Sequence, residues 1–363
     1  MTLTYRIRGG LAAAGIATLL GGAGVSAVPL EAQPASEWRF RTDPFAELWY
    51  HGLAMIGFHG FGRVPLYDAA YAWSIVSERR SAGQEPTTLE RDRGAFQAAF
   101  TRDPAFEVLH FVPLYLADAP VDVALDALDP LSVNSGGRAD ARIAREITAL
   151  AGVISQPAQR EMLARFVRAL REERPLLADA SRPELDVRAS GLEELWSETA
   201  SGPLADFLGR EGLERGWIVV TPALGPEGRF LERPDGSVVA VGVSAESDRR
   251  AVVGAVVREL CYPAVRRALT PYESWFDDRA TVSDVSDQAA TRCGALLLEA
   301  HAPDLLPAYR SRFGDTTSDA AFLSAAGFPP GAAALESQLD EALRRELELN
   351  SGSGHAASGP AGR

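Results

Sequence analysis

Apolar and polar positions follow a helical period over most of the chain. In residues 139–212, apolar side chains recur at steps of three and four, as one face of a helix requires: Met162, Leu163, Phe166, Val167 and Leu170. The charged run at 171–174 (Arg-Glu-Glu-Arg) is therefore interpreted as solvated surface. The same reasoning predicts further helices at 67–80, 87–117, 248–269, 280–301, 304–313 and 331–349.

The pattern changes between residues 215 and 244. The continuous apolar run Trp217-Ile218-Val219-Val220 is typical of a short buried strand. Residues 229–232 and 238–241 flank Pro234-Asp235-Gly236, which is a favourable hairpin turn. The chain is therefore predicted to be α+β: predominantly helical, with a small antiparallel hairpin sheet in its middle.

The N-terminus has the features of a secretory signal. Arg6 and Arg8 precede an uncharged apolar stretch at 9–25, and Val25-Ser26-Ala27 fits the small-residue cleavage pattern. We expect cleavage after Ala27 and export to the periplasm or the extracellular space. An uncleaved N-terminal anchor is the alternative. No later uncharged segment reaches the length of a membrane-spanning helix, so no membrane insertion is predicted beyond the signal.

The remaining chain reads as a single domain between two irregular ends. Residues 28–40 are predicted to be a flexible leader, and residues 350–363, rich in Gly, Ser and Ala, a disordered tail. The domain at 41–349 divides into a helical part (41–212), a sheet (215–244) and a second helical part (248–349).

Charge narrows the classes of partner. The formal net charge is −13, and removal of Arg6 and Arg8 with the signal makes it −15. A field of that sign repels nucleic acids and anionic membrane surfaces, so neither is an expected partner.

Two cysteines are present, Cys261 and Cys293. An even number in an oxidising compartment is consistent with one disulfide. Two buried free thiols are the alternative, because cysteine also packs well as a small apolar residue.

One segment carries a resemblance to a known family. The apolar run at 251–257 leads into Arg258-Glu259-Leu260-Cys261-Tyr262-Pro263. This resembles the active-site helix of bacterial secreted gluzincin-like metallopeptidase domains, where an apolar run leads into H-E-x-x-H. The upstream hairpin and the downstream helices follow the same order. The resemblance extends over about residues 40–345, is most specific at 215–300 and implies a zincin-like fold.

The family motif has a clear chemical purpose. Two His residues four positions apart hold one zinc ion, and the Glu between them accepts a proton from the metal-bound water. Here Arg258 and Tyr262 stand at the His positions, and only Glu259 is retained. A third ligand comes from a later helix in the family, and the matching position here is Gln288, four residues before Arg292.

Arg258 cannot bind zinc, because its guanidinium group stays protonated and has no free lone pair. The resemblance therefore implies a degenerate site without metal or other cofactor, in which Glu259 no longer serves hydrolysis. The predicted function is non-catalytic binding of a peptide or protein between the sheet edge at 215–244 and the helix at 248–269.

Three other interpretations remain open. An active zinc-dependent hydrolase would need ligands from elsewhere, such as Glu273, Asp277, Asp278, Asp287 or Glu299. A structural envelope protein would need no site at all. In the plainest interpretation, Arg258 and Glu259 begin the polar face of a buried helix. His51, His59, His110 and His301 are expected to be structural.

Overall fold

The computed structural model of the protein describes residues 37–59, 66–129, 141–178, 182–233, 235–275, 279–314 and 333–347. The predicted signal at 1–27 and the predicted tail at 350–363 lie outside these residues, as do Asp277 and Asp278.

Four strands form one mixed sheet in the order β1-β2-β4-β3: β1 (Glu37–Arg41), β2 (Arg215–Thr221), β3 (Arg229–Leu231) and β4 (Ser237–Gly242). The predicted hairpin is present, because β3 pairs antiparallel with β4. The prediction of a simple antiparallel sheet is wrong, however, because β1 and β4 both run parallel to β2. The leader prediction is also wrong for residues 37–40. These residues form most of β1, whose Trp38 and Phe40 side chains are buried.

Both faces of the sheet are covered, which explains the continuous apolar runs in β2 and β4. Ile218 and Val220 contribute to one hydrophobic core, whereas Val219 contributes to a second core on the opposite face. Val239 and Val238 divide between the two cores in the same way.

The helices that precede β2 mostly build the second core. Their bounds are α1 (Pro44–Ile56), α2 (Ala69–Ser81), α3 (Thr88–Arg91), α4 (Arg93–Arg102), α5 (Val112–Tyr115), α6 (Val121–Leu128), α7 (Ala141–Val153), α8 (Pro157–Ala178), α9 (Arg182–Trp196) and α10 (Ala205–Glu211). A 3-10 helix, Pro104–His110, connects α4 to α5. The prediction that residues 171–174 are solvated is wrong for Glu173, which is fully buried and bound to Arg79 and His51.

The helices that follow β4 cover the first face: α11 (Arg249–Leu260), α12 (Tyr262–Leu269), α13 (Arg279–His301), α14 (Leu306–Phe313) and α15 (Ala333–Glu346). α11 packs against β4 on one side and against α13 on the other. Cys261, at the end of α11, forms a disulfide with Cys293 of α13, with the two Cα atoms 6.0 Å apart. Within the described residues, no helix combines the length and the apolar character needed to cross a membrane.

Candidate functional site

The C-terminal end of α11 places two charged residues, Arg258 and Glu259, in the protein interior. The helix begins at Asp248, whose side chain accepts a hydrogen bond from the Arg250 amide, and its residues from Ala251 to Leu260 are all buried. Ten consecutive buried residues include Arg258 and Glu259, 1% and 0% exposed. Charged side chains so deep in a protein require partners.

The guanidinium group of Arg258 donates hydrogen bonds to several surrounding oxygen atoms. Nη1 donates to Glu259 Oε1 at 2.5 Å, and Nη2 donates to Glu227 Oε1 at 3.1 Å. Nη2 also reaches the Asp287 carbonyl at 3.2 Å, and Nε donates to Thr291 Oγ1 at 3.0 Å. The guanidinium group is thus the positive centre of a buried acidic cluster, which we define as Glu227, Glu259 and Asp287.

Tyr262 joins the same cluster from the start of α12. Its hydroxyl donates to Asp287 Oδ1 at 2.6 Å, and the Arg258 Nη2 atom lies 3.7 Å from that oxygen. The backbone at Cys261 keeps helical angles (φ −74°, ψ −19°), so positions 258 and 262 remain on one face across the junction of α11 and α12.

The residue of α13 that faces Arg258 and Tyr262 is Asp287 rather than the predicted Gln288. The Gln288 side-chain oxygen is buried and has no hydrogen-bond partner among the described residues. Asp287 and Gln288 are consecutive residues, so their side chains leave the helix about 100° apart. The correspondence of Gln288 with a third ligand stays a prediction.

Two glycines allow the close packing of this site. A Cβ atom on Gly228 would lie 2.4 Å from the Ala240 carbonyl oxygen and 2.8 Å from Glu259 Cγ. Without that atom, the Gly228 amide can donate to Glu259 Oε1 at 3.1 Å. On the other side, a Cβ on Gly294 would lie 3.3 Å from Arg258 Cα, so this glycine lets α13 approach α11.

The loop that carries Glu227 is held in place by Arg312 of α14. Its Nε and Nη2 atoms donate to the carbonyls of Pro226 and Gly225, each at 2.9 Å. A longer bond of 3.2 Å joins Nη2 to the Gly242 carbonyl at the end of β4. Arg312 therefore fixes the 225–227 loop over the end of the sheet and above the acidic cluster.

Burial shifts the protonation equilibria of the site. It raises the pKa of Glu227 to about 7, against the opposing attraction of Arg258. Burial also raises the pKa of Glu259, although Arg258 and Arg229 act in the other direction. The Oε2 atoms of both residues are buried and accept no hydrogen bond from any residue that the structure describes, although Glu227 Oε2 lies 3.6 Å from Arg229 Nη1.

A cavity of about 310 Å³ adjoins the cluster, and we call it the Glu259 pocket. Glu259, Tyr262 and Asp287 line it, together with Arg229 and Phe230 of β3. Its other lining residues come from the 104–111 segment, α12 and α13: Glu107, His110, Phe111, Arg266, Ser283 and Ser286.

Several of these residues were not foreseen in the sequence. Glu227 and Arg229 stand on either side of Gly228, where the chain enters β3. An acid and a base around a glycine were the available signal. Glu107 and His110 lie more than 100 residues from α11, and no local pattern connects them to it. His51, by contrast, is fully buried and bound to Tyr71 and Glu173, as a structural histidine would be.

The residues present do not fit a zinc ion at positions 258 and 262. The guanidinium group of Arg258 carries a fixed positive charge there and binds the acids that a metal would otherwise attract. Within the described residues, no three His, Cys, Asp or Glu side chains are grouped in a way that could hold a metal ion.

Comparisons with known proteins add no assignment. No family model matches the chain, and neither a curated protein nor a solved structure matches it.

Proposed function

We propose that this protein is a zincin-like pseudopeptidase that binds a peptide or an extended protein segment in the Glu259 pocket, without metal-dependent hydrolysis. The observation that carries the proposal is the meeting of positions 258, 259, 262 and 287 beside a cavity. In the resemblance, positions 258 and 262 supply two zinc ligands and position 259 the general base; we further propose that Asp287, next to the expected Gln288, stands at the position of the third ligand.

Arg258 supports the loss of hydrolysis. Without a metal ion, a water molecule keeps a pKa near 15.7 instead of about 7, so it is a poor nucleophile at neutral pH. Glu259 Oε1 is already engaged by Arg258 and by the Gly228 amide. Under this proposal, the Arg258 guanidinium group takes the place that the metal cation has in the family.

Strand β3 supports an extended ligand. Among the described residues it is an edge strand that pairs with β4 alone, and its residues Arg229 and Phe230 line the Glu259 pocket. An edge strand can accept a peptide by adding backbone hydrogen bonds, while a neighbouring pocket takes one of the peptide's side chains.

Peptide binding is testable with a blocked pocket. We would screen an immobilised peptide library with the wild-type protein and with Ser286→Trp, which places an indole in the cavity wall. A matched control is Ala300→Trp, an exposed position on the same helix α13. We expect peptides that bind wild type and Ala300→Trp but lose at least tenfold affinity for folded Ser286→Trp. Binding that the three proteins share equally, or no binding, would refute the proposal.

Metal analysis separates the proposal from the active-hydrolase alternative. Native mass spectrometry of the purified protein with added zinc should detect no stoichiometric metal. One tightly bound zinc per chain would instead favour an enzyme with ligands outside positions 258 and 262.

A further inference from the structure

Three carboxylates face the Glu259 pocket. Glu107, Glu259 and Asp287 line it, and Glu227 lies directly behind the wall, bound to Arg258. Glu107 is the most accessible of the three: 30% of its side chain is exposed, compared with 15% for Asp287 and none for Glu259. A group of acids alone does not define a ligand, so the hydrogen bonds and ion pairs of each charged group must be considered.

The arginines around the pocket are mostly engaged already. Arg258 binds Glu227 and Glu259, and Arg312 binds backbone carbonyls. Arg229 donates to the Gly228 carbonyl at 2.8 Å and lies 3.6 Å from Glu227. Arg266 of α12 is exposed and also lines the pocket. Arg229 also attracts Glu259 and Asp287 electrostatically, and Asp287 is bound by the Tyr262 hydroxyl.

One buried oxygen atom has no partner. Glu259 is fully buried and lines the pocket, and its Oε2 atom makes no hydrogen bond in the described part of the chain. A buried carboxylate oxygen without a donor is costly, and a ligand that brings a donor removes that cost. His110 supplies no positive charge, because burial holds its pKa well below the usual value.

We propose that the Glu259 pocket binds a cationic ammonium or guanidinium group, such as a Lys or Arg side chain of the bound peptide. This inference rests on the proposed function for the identity of the peptide, but not for the chemistry of the pocket. Phe111 and Phe230 provide apolar walls for the aliphatic stem, and Glu259 and Glu107 provide acceptors for its charged end.

The test uses small probes that contain a single side chain. The amides Nα-acetyl-lysine-N-methylamide, the norleucine analogue and the glutamate analogue would each be titrated into wild-type protein and followed by NMR. We expect the lysine probe to bind at least tenfold more tightly than norleucine, which has the same stem without the charge. Its affinity should rise with pH between 6 and 8, because burial raises the pKa of Glu107 to about 7 and protons compete with the ligand.

Variants identify the acceptors. Glu259→Gln and Glu107→Gln should each reduce the preference for lysine over norleucine, whereas Glu194→Gln, an exposed position on α9, should leave it unchanged. Glu107→Gln keeps the test decisive if Glu259→Gln does not fold. Equal affinity for lysine and norleucine, preference for glutamate, or zinc alone occupying the pocket would overturn the inference.

The two proposals fail separately. If the library yields pocket-dependent peptides without basic residues, peptide binding stands and the cation specificity is wrong. If the lysine probe binds but no library peptide does, the cationic pocket stands and the proposed peptide function is wrong.

Discussion

At the scale of single residues, Arg258 determines the character of the site. It is 1% exposed and lies among Glu227, Glu259 and Asp287, so its desolvation is offset by several charge-assisted bonds. If any one of these acids is removed, the other two still offset the desolvation of Arg258. Removing Arg258 would leave three acids close together without the cation that separates them.

Glu227 gives the first prediction, a pH dependence of stability. Its folded-state pKa is about 7, above the usual 4.5 of an unfolded chain. Between these values the folded protein holds the extra proton, so the contribution of Glu227 to stability falls as pH rises through that window. The Glu227→Gln variant has no ionisable group at this position, so its stability does not fall for this reason. The stability of the variant relative to wild type should therefore increase by on the order of 2 kcal/mol from pH 5 to pH 8.

Urea unfolding at several pH values measures this difference. The difference between variant and wild type is the useful quantity, because burial lowers the pKa of His51 and His110 and these residues affect stability in the opposite direction. Glu299→Gln, at an exposed position, serves as the control and should show a constant difference. A constant difference for Glu227→Gln as well would mean that Glu227 is ionised normally.

At the scale of elements, helix periodicity was enough to find most helices but not every exception within them. Residues 171–174 have the composition of a solvated helix face. Glu173 is buried only because Arg79 of α2 and His51 of α1 approach it. A pattern within α8 contains no information about charges that other helices bring to it.

In the sheet, too, the local sequence predicts only pairings between strands that are close in the chain. The β3–β4 hairpin is local, so its turn sequence predicted it. β1 pairs with β2 far along the chain, and the Trp38 indole donates to the Leu213 carbonyl across 175 positions. The place of β2 beside β4, and not beside β3, was also not predictable. The connection at 222–228 can either turn back next to β2 or cross over the end of β4, and side-chain alternation is the same in both cases.

The disulfide is the covalent connection between the two helices that form the site, and it gives the second prediction. It joins Cys261 to Cys293 and closes a loop with a sequence separation of 32 residues. On the chain-entropy model such a cross-link stabilises by about 3–4 kcal/mol. The double variant Cys261→Ala/Cys293→Ala should lose about that amount in urea unfolding.

Reduced wild-type protein distinguishes the stability lost with the cross-link from the stability lost through the smaller alanine side chains. Wild type with reductant should approach the stability of the double variant, and the double variant should not respond to reductant. Two free thiols in denatured wild-type protein purified under oxidising conditions would contradict the prediction.

At the scale of the whole molecule, the mixed sheet and the helices after it form one arrangement around Arg258. Sheet β1-β2-β4-β3 lies against α11, α13 carries Asp287 towards α11, and the edge strand β3 borders the pocket. If this arrangement descends from a zinc peptidase, the ligand positions should still converge when ligands are restored. This is the third prediction.

The variant Arg258→His/Tyr262→His should bind one zinc ion per chain. Positions 258 and 262 share a helical face, and the Tyr262 hydroxyl already lies 2.6 Å from Asp287 Oδ1, which would become the third ligand. Removal of the Arg258 guanidinium also frees Glu227 and Glu259 to face a metal cation. Metal content after gel filtration with equimolar zinc, together with circular dichroism to verify folding, measures the result.

Two further substitutions identify the third ligand. Adding Asp287→Asn to the double variant should abolish zinc retention, whereas adding Gln288→Glu should not increase it, because the carboxylate that contacts Tyr262 and Arg258 is that of Asp287. Each single His variant should retain less zinc than the pair, because one ligand is missing. If the folded double variant retains no zinc at micromolar concentration, positions 258 and 262 do not form a ligand pair. The zincin-like origin of the site would then have no support from its geometry.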